Sequence, residues 1–303
     1  MNLLLEFFCR FGWGMAAGLV LTPATLVPAG FFRVNLLVVL GLATGAAVIA
    51  SGLPADVSAD VTAGWAAAGW ATAGWATAGW ATAGWATAGW AADGWAAAGW
   101  AAAGWATAGW ATAGWATAGW AAALAAVVAW VGSVAWLGER VGAGRLLCVA
   151  TAVLLAAATV LATGGGSDGT GSRWLLGGAA LVSGLVSGLA VHAMLLGHWY
   201  LNAPGMRVDA LRRMIDLALA AWGVQAVVSL AGLALGESPP GTTAQALVVL
   251  RWLAGIVGLP ILLVMARKTL DIPNTQSATG ILYVACLAAI LGELTSQLLQ
   301  AAT

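Results

Sequence analysis

Apolar residues run along this chain in long unbroken blocks, without the period of two or of three to four that marks a half-buried strand or a surface helix. A helix that crosses a bilayer needs about 20 mostly apolar residues. Eight blocks meet that length: 3–22, 34–52, 116–137, 146–163, 174–201, 210–235, 244–265 and 277–300. The gaps between them carry turn chemistry. Pro23 and Pro28 follow the first, Gly164-Gly165-Gly166-Ser167-Asp168 separates the fourth from the fifth, and Pro239-Pro240-Gly241 separates the sixth from the seventh. The pattern predicts an all-α polytopic transmembrane helix bundle of about eight spans. It divides into residues 1–53 with spans one and two, an external low-complexity insert at 54–115, and residues 116–303 with spans three to eight.

Composition agrees. Hydrophobic residues make up 62% of the 303 and charged residues 7%, against about 25% charged in a soluble domain; the mean hydropathy is +0.94. Eleven basic and eleven acidic side chains cancel, so there is no electrostatic footprint for nucleic acid. The chain offers its surface to lipid, and to other membrane subunits or a second copy of itself. Cys9, Cys148 and Cys286 lie in separate apolar blocks with no C-x-x-C spacing, and read as small buried hydrophobes. Glu6 and Arg10 sit inside the first apolar run, which reads as a retained helix and not a cleaved signal.

The few charges orient the bundle, because basic residues gather in cytoplasmic loops. The ends that follow spans one, three, five and seven hold Arg33, Arg140, Arg145, Arg207, Arg212, Arg213, Arg267 and Lys268. The opposite side holds Arg10, Arg173 and Arg251. The expectation is a multi-pass protein of a bacterial cytoplasmic (inner) membrane, with both termini and the insert outside.

The insert is a tandem repeat. From Trp65 to Trp120 a Trp recurs every five residues in units of Ala-Gly-Trp-Ala-Thr or Ala-Gly-Trp-Ala-Ala, interrupted chiefly by Asp93. It takes 12 of the 19 Trp, so the aromatic content of the rest of the chain says little about function. In an α-helix a step of five turns about 140° past a full revolution, which scatters Trp around the axis. In a strand an odd step alternates faces. Neither makes a one-sided element, and the expectation is helical tendency without a fixed place.

Charges within lipid mark the first places to look for function. Arg251 and Glu293 lie at one depth in adjacent antiparallel spans and are expected to form an ion pair. Glu6 and Arg10 are spaced i, i+4, and near a helix end they are expected to snorkel to the interface. Both histidines, His192 and His198, lie on the fifth span, about 9 Å apart along the axis and about 120° apart around it. One haem b cannot be held by both from above and below; haem ligation, a proton site and hydrogen-bonded packing are the alternatives. The run from Pro273 to Gly280 opens the eighth span, and Thr275 or Ser277 can cap it. With Arg207, Arg212, Arg213, Arg267 and Lys268 on the same side, that end is a candidate site for an anion or lipid headgroup. The pairs Gly14/Gly18, Gly41/Gly45 and Gly184/Gly188 are read as helix-packing positions.

Two stretches, 195–202 (Leu-Leu-Gly-His-Trp-Tyr-Leu-Asn) and 272–283 (Ile-Pro-Asn-Thr-Gln-Ser-Ala-Thr-Gly-Ile-Leu-Tyr), resemble segments of uncharacterised bacterial polytopic membrane proteins, a group without an assigned activity. The likeness covers the C-terminal half and implies a helical membrane fold but no site. Trp136-Leu137-Gly138-Glu139-Arg140 is similar to the end of a repeat half in drug/metabolite transporters, whose ten helices form two related halves; here there are eight spans and no second copy. No nucleophile–base pair or metal-ligand set is visible, which leans against an enzyme. The leading expectation is a non-catalytic membrane subunit or scaffold. The alternatives are a small-solute or proton-coupled transporter using Glu293 and Arg251, and a haem-binding redox subunit using His192 or His198.

Overall fold

The computed structural model describes residues 3–51, 114–164, 170–203, 207–235, 242–272 and 274–302. Among them there is no strand, and eight helical spans are long and apolar enough to cross a membrane. The protein is an all-α, multi-pass membrane bundle. Its elements are α1 (Leu3–Leu21), α2 (Ala29–Ser51), α3 (Gly114–Leu137), α4 (Val141–Gly164), α5 (Thr170–Asn202), α6 (Asp209–Leu235), α7 (Thr242–Arg251), a π-helical turn (Trp252–Gly258), α8 (Leu259–Thr269) and α9 (Thr275–Ala302). The seventh span is thus composite, built from α7, the π turn and α8.

Several ends differ from the sequence reading. The second span starts at Ala29, five residues ahead of the expected 34. The core takes Phe31 and Phe32 while Arg33 faces outward, so one helical turn serves both sides. The link between α3 and α4 is a tight turn at Gly138-Glu139-Arg140, with Glu139 in the left-handed region at φ 54°. At α9 the cap is neither Thr275 nor Ser277. The Ser277 amide donates to the side-chain carbonyl of Asn274 at 3.0 Å, because the residue just before the helix is the one positioned to satisfy its free amides.

Two central helices carry the packing. α1 contacts α5, α4 and α2; α2 and α4 each pack on α3; α5 also meets α9 and α6; and α9 closes over α7, the π turn and α8. α1 and α5 meet backbone to backbone. A Cβ on Gly14 would strike the Gly184 carbonyl, one on Gly184 would strike the Arg10 carbonyl, and one on Gly188 would strike the Gly14 backbone. Two of the glycine pairs read from the sequence therefore pack on each other. With lipid as the alternative solvent, such close van der Waals contact is what drives helix association.

Of the repeat, only its last two Trp fall within described residues; the rest lies outside them. Gly114–Trp120 forms the opening of α3. Ala118 and Ala122 are fully buried there. Trp115 Nε1 donates to the Ala162 carbonyl at 3.1 Å, while Trp120 is 45% exposed. Neighbouring repeat tryptophans thus take different faces, as a step of five on a helix requires.

The π turn has a local cause. Pro260 has no amide hydrogen to give the carbonyl four residues back, that of Ile256. The helix widens before it, and the Leu259 amide bonds to the Ala254 carbonyl five residues earlier. The freed Ile256 carbonyl accepts a hydrogen bond from Trp222 Nε1 of α6 at 3.1 Å. Gly255 lies against Gly292 of α9; a Cβ on Gly292 would come within 2.8 Å of the Gly255 Cα. That crossing brings the next residue on α9, Glu293, to the π turn.

Candidate functional site

The site is assembled at the end of the bundle where both termini lie. Arg10 is about 10 Å inward from the start of α1, and Glu293 and Arg251 are each about 13 Å inward from the nearest ends of α9 and α7, at 1.5 Å per residue. The common depth expected for Arg251 and Glu293 is present, but the expected ion pair between them is not the one formed. Arg10 Nη1 donates to Glu293 Oε1 at 3.1 Å. Its Nη2 donates to Glu6 Oε2 at 2.8 Å and to Gln300 Oε1 at 3.2 Å. Gln297 Nε2 completes the shell of Glu293 with a 2.7 Å bond to Oε1. Arg10 is 1% exposed and Glu293 4%, so neither snorkels to the interface.

Arg10 points inward because the α1–α5 crossing aims it there. Arg10, Gly14 and Gly18 follow one another at i+4 steps, so they share one face. That face is pressed on α5 by the absence of side chains at Gly14 and Gly184. The continuation of the glycine stripe into Arg10 is the sequence signal that sets this residue against a helix and not against lipid.

Arg251 takes a different partner: its Nη2 donates to Ser229 Oγ of α6 at 3.1 Å. Arg251 and Glu293 nevertheless face one cavity of about 30 Å³, measured for the centres of water molecules. Polar groups of Ser183 and Ser187 from α5 and Gln225 from α6 share its wall, and the glycine crossing Gly255/Gly292 forms its rim. Sequence reasoning did not single out Gln225, Ser183 or Ser187. A lone Gln amid apolar residues of α6 was the available signal.

Two carboxylates and two guanidiniums follow one another in alternating order, Glu6, Arg10, Glu293 and Arg251, with zero net charge; of the four, Glu293 and Arg251 line the cavity. Burying an isolated charge costs several kcal/mol, so partners are required. The arrangement leaves one feature beyond mutual neutralisation. Arg10 has two carboxylates, so if Glu293 takes up a proton Arg10 still has Glu6. Protonation of Glu293 therefore leaves Arg10 paired, while Arg251, bonded to Ser229, loses the carboxylate that faces it across the cavity.

The histidines are apart and differently used. His192 is fully buried on α5. Its Nε2 lies 2.7 Å from Thr22 Oγ1. The Thr22 hydroxyl donates to the Gly18 carbonyl at 2.7 Å, which leaves Nε2–H as the donor to Thr22. Phe31 packs edge-on at 5.3 Å between ring centres, and a Cβ on Gly18 would come within 2.6 Å of the imidazole. His198 is exposed six residues further along α5, with Nδ1 3.1 Å from the Tyr283 hydroxyl. Among the described residues no cluster of three or more His, Cys, Asp or Glu forms a metal-ligand set. The three cysteines are separate and buried.

The basic end expected to bind an anion is largely self-neutralised. Arg207 pairs with Asp209 at 2.8 Å, and Arg267 pairs with Asp216 at 2.9 Å and Asp271 at 3.2 Å. Arg212 donates to the Leu270 carbonyl at 2.6 Å, with Asp271 3.7 Å away. Tyr200 reaches the Arg207 carbonyl. Arg213 and Lys268 are exposed. Thr275 and Ser277 lie at the start of α9 on the same side, where Thr275 gives its carbonyl to the Thr279 hydroxyl at 2.7 Å.

Comparison with known proteins adds no name: no protein family, curated relative or solved structure matches this chain.

Proposed function

We propose that the protein moves protons across its membrane, alone or in step with a small solute, by way of Glu293 and Arg251. The observation that carries this is the buried carboxylate of Glu293, which is bonded to Arg10 on one side and on the other faces a cavity shared with Arg251, Gln225, Ser183 and Ser187. Intramembrane ionisable groups are costly and are commonly retained for ion or proton pathways, and π turns inside α-helices are frequent at functional sites. A passive scaffold, the leading expectation from sequence, needs no cavity between its charges.

The test is proton uptake into liposomes holding the purified protein and an internal pH-sensitive dye, driven by an imposed membrane potential. Wild type should acidify the lumen, and Glu293→Gln should abolish the signal while retaining the wild-type melting temperature. Equal rates for the two, in protein shown to be folded, would leave the scaffold as the better account.

The site's orientation follows from the basic residues. They put the loops after spans one, three, five and seven in the cytoplasm of a bacterial cell, and the termini, the repeat and the Glu293 end outside. Exposed Thr242 and Lys268 stand at opposite ends of the composite span. A membrane-impermeant thiol reagent applied to whole cells should label Thr242→Cys and spare Lys268→Cys. This span faces mostly lipid, which leaves it free for another membrane subunit or a second copy of the chain. For haem, the Nε2 engaged by Thr22 offers no support, and a colourless purified protein would dispose of it.

A further inference from the structure

We infer that the cavity between Arg251 and Glu293 binds two water molecules, anchored by Gln225, and that these waters deliver and remove the proton of Glu293. This rests on the reading of Glu293 as an exchangeable proton site and names the species that serves it.

The hydrogen-bonding capacity of the lining selects water. The Ser183 hydroxyl donates to the Ala180 carbonyl at 3.2 Å, and the Ser187 hydroxyl to the Ser183 and Gly184 carbonyls, both at 3.2 Å. Their protons are therefore spent, and each oxygen offers only lone pairs. Gln225 Oε1 is buried with no donor among the described residues. Both bonds to Glu293 arrive at Oε1, which leaves Oε2 as a further acceptor. Against these acceptors stands Arg251, whose guanidinium has five N–H groups, one of them given to Ser229.

An occupant must therefore donate to Gln225, the serines and Glu293 while accepting from Arg251. An anion has nothing to donate to Gln225 and is repelled by Glu293. A metal cation is repelled by Arg251 and leaves a net charge in a set that is already neutral. Water both donates and accepts and adds no charge. The centres of water molecules have about 30 Å³ in which to lie, room for two at the usual separation of about 2.8 Å between hydrogen-bonded oxygens.

The charged groups facing Glu293 among the described residues are Arg10 and Glu6 of α1 and Arg251 of α7; α5 and α6 present only the uncharged Ser183, Ser187, Gln225 and Ser229. In the transfer, the water pair takes up a proton at one oxygen and in the same step releases another to Glu293 Oε2. This yields the carboxylic acid and neutral water, and Arg10 keeps Glu6. The reverse step returns the proton to the water pair and restores the Arg10–Glu293 ion pair. No electron moves and no other reactant is needed.

The experiment is pH-jump difference infrared spectroscopy on the full chain in lipid, run in ordinary and in ¹⁸O water, beside the proton-uptake assay. Wild type should show a carboxylic C=O band that Glu293→Gln removes, together with an O–H band that shifts in ¹⁸O water. Gln225→Leu should erase the isotope-sensitive band, move the C=O band to higher frequency and slow uptake at least tenfold, with the C=O band still present. Val186→Phe, which fills the cavity without removing a polar group, should act likewise and stands in if Gln225→Leu does not fold. Retention of the isotope-sensitive band and the wild-type C=O frequency in these variants overturns the water bridge. Loss of the water band with uptake unchanged by Glu293→Gln overturns the transport reading instead, so the two failures are distinct.

Discussion

Arg10 and Glu293 form a buried ion pair across 283 positions of sequence, at 3.1 Å, and so tie the first helix of the bundle to the last. Removing one partner of a buried pair strands the other, at a cost of about 3–5 kcal/mol. Arg10→Met should therefore lower the melting temperature of the protein in lipid far more than Glu6→Gln, whose carboxylate is partly exposed. The double variant Arg10→Met with Glu293→Leu should recover much of the loss. A double variant no more stable than Arg10→Met alone would mean that the pair is not what sets the cost.

The α1–α5 crossing makes a second prediction. A methyl at Gly14 has no room before the Gly184 carbonyl, whereas nothing lies within 4 Å of a Cβ at Gly41. Overpacking costs about 1–3 kcal/mol and sometimes more. Gly14→Ala should destabilise by at least that amount, and Gly41→Ala should be silent. Thermal unfolding of the two variants in one detergent compares them directly.

At the composite span, Trp222→Phe removes the donor to the Ile256 carbonyl. A buried acceptor left without its partner costs about 1–3 kcal/mol. Hydrogen exchange should quicken at the amides of Trp252–Gly258 and leave those of α5 unchanged; uniform quickening through the bundle would argue against a local role for the indole.

Thr22→Val keeps the shape of the side chain and removes the hydroxyl that meets His192 Nε2. His192 Nδ1 already lacks a partner among the described residues, so the ring would lose its only hydrogen bond there. A loss of about 1–3 kcal/mol is expected, with Thr22→Ser close to wild type. The melting temperatures decide it.

The spans were legible in the sequence because lipid imposes a length and a polarity that no packing detail can override. The depth of the charges was legible for the same reason, since depth is a count of residues along an axis. Direction around the axis is different. It placed Arg251 on Ser229 and gave Glu293 to Arg10, and it depends on which helices are neighbours. That follows from the glycine faces of α1 and α5, two segments about 170 residues apart. Chain position near a helix end suggested that Arg10 reaches for the interface. Its spacing of four from Gly14 was the stronger clue, because a residue on a glycine face meets another helix first. The cap at Asn274 was missed on smaller grounds: the helix begins one residue after it, and helix ends are the least determined part of such a reading.

The π turn gives the seventh span one residue more than an uninterrupted α-helix would need over the same path. Loss of a single codon between Trp252 and Gly258 would leave a plain helix that still crosses the membrane, so a lesion that shifts the frame of most helices becomes here a regularising edit. It would also turn α7 against α8 by about 100°, swinging Arg251 away from Ser229 and from Glu293. The span thus behaves as a vernier. Its two halves answer to different neighbours, and the surplus residue holds the α7 half in the one setting that brings its arginine to the cavity.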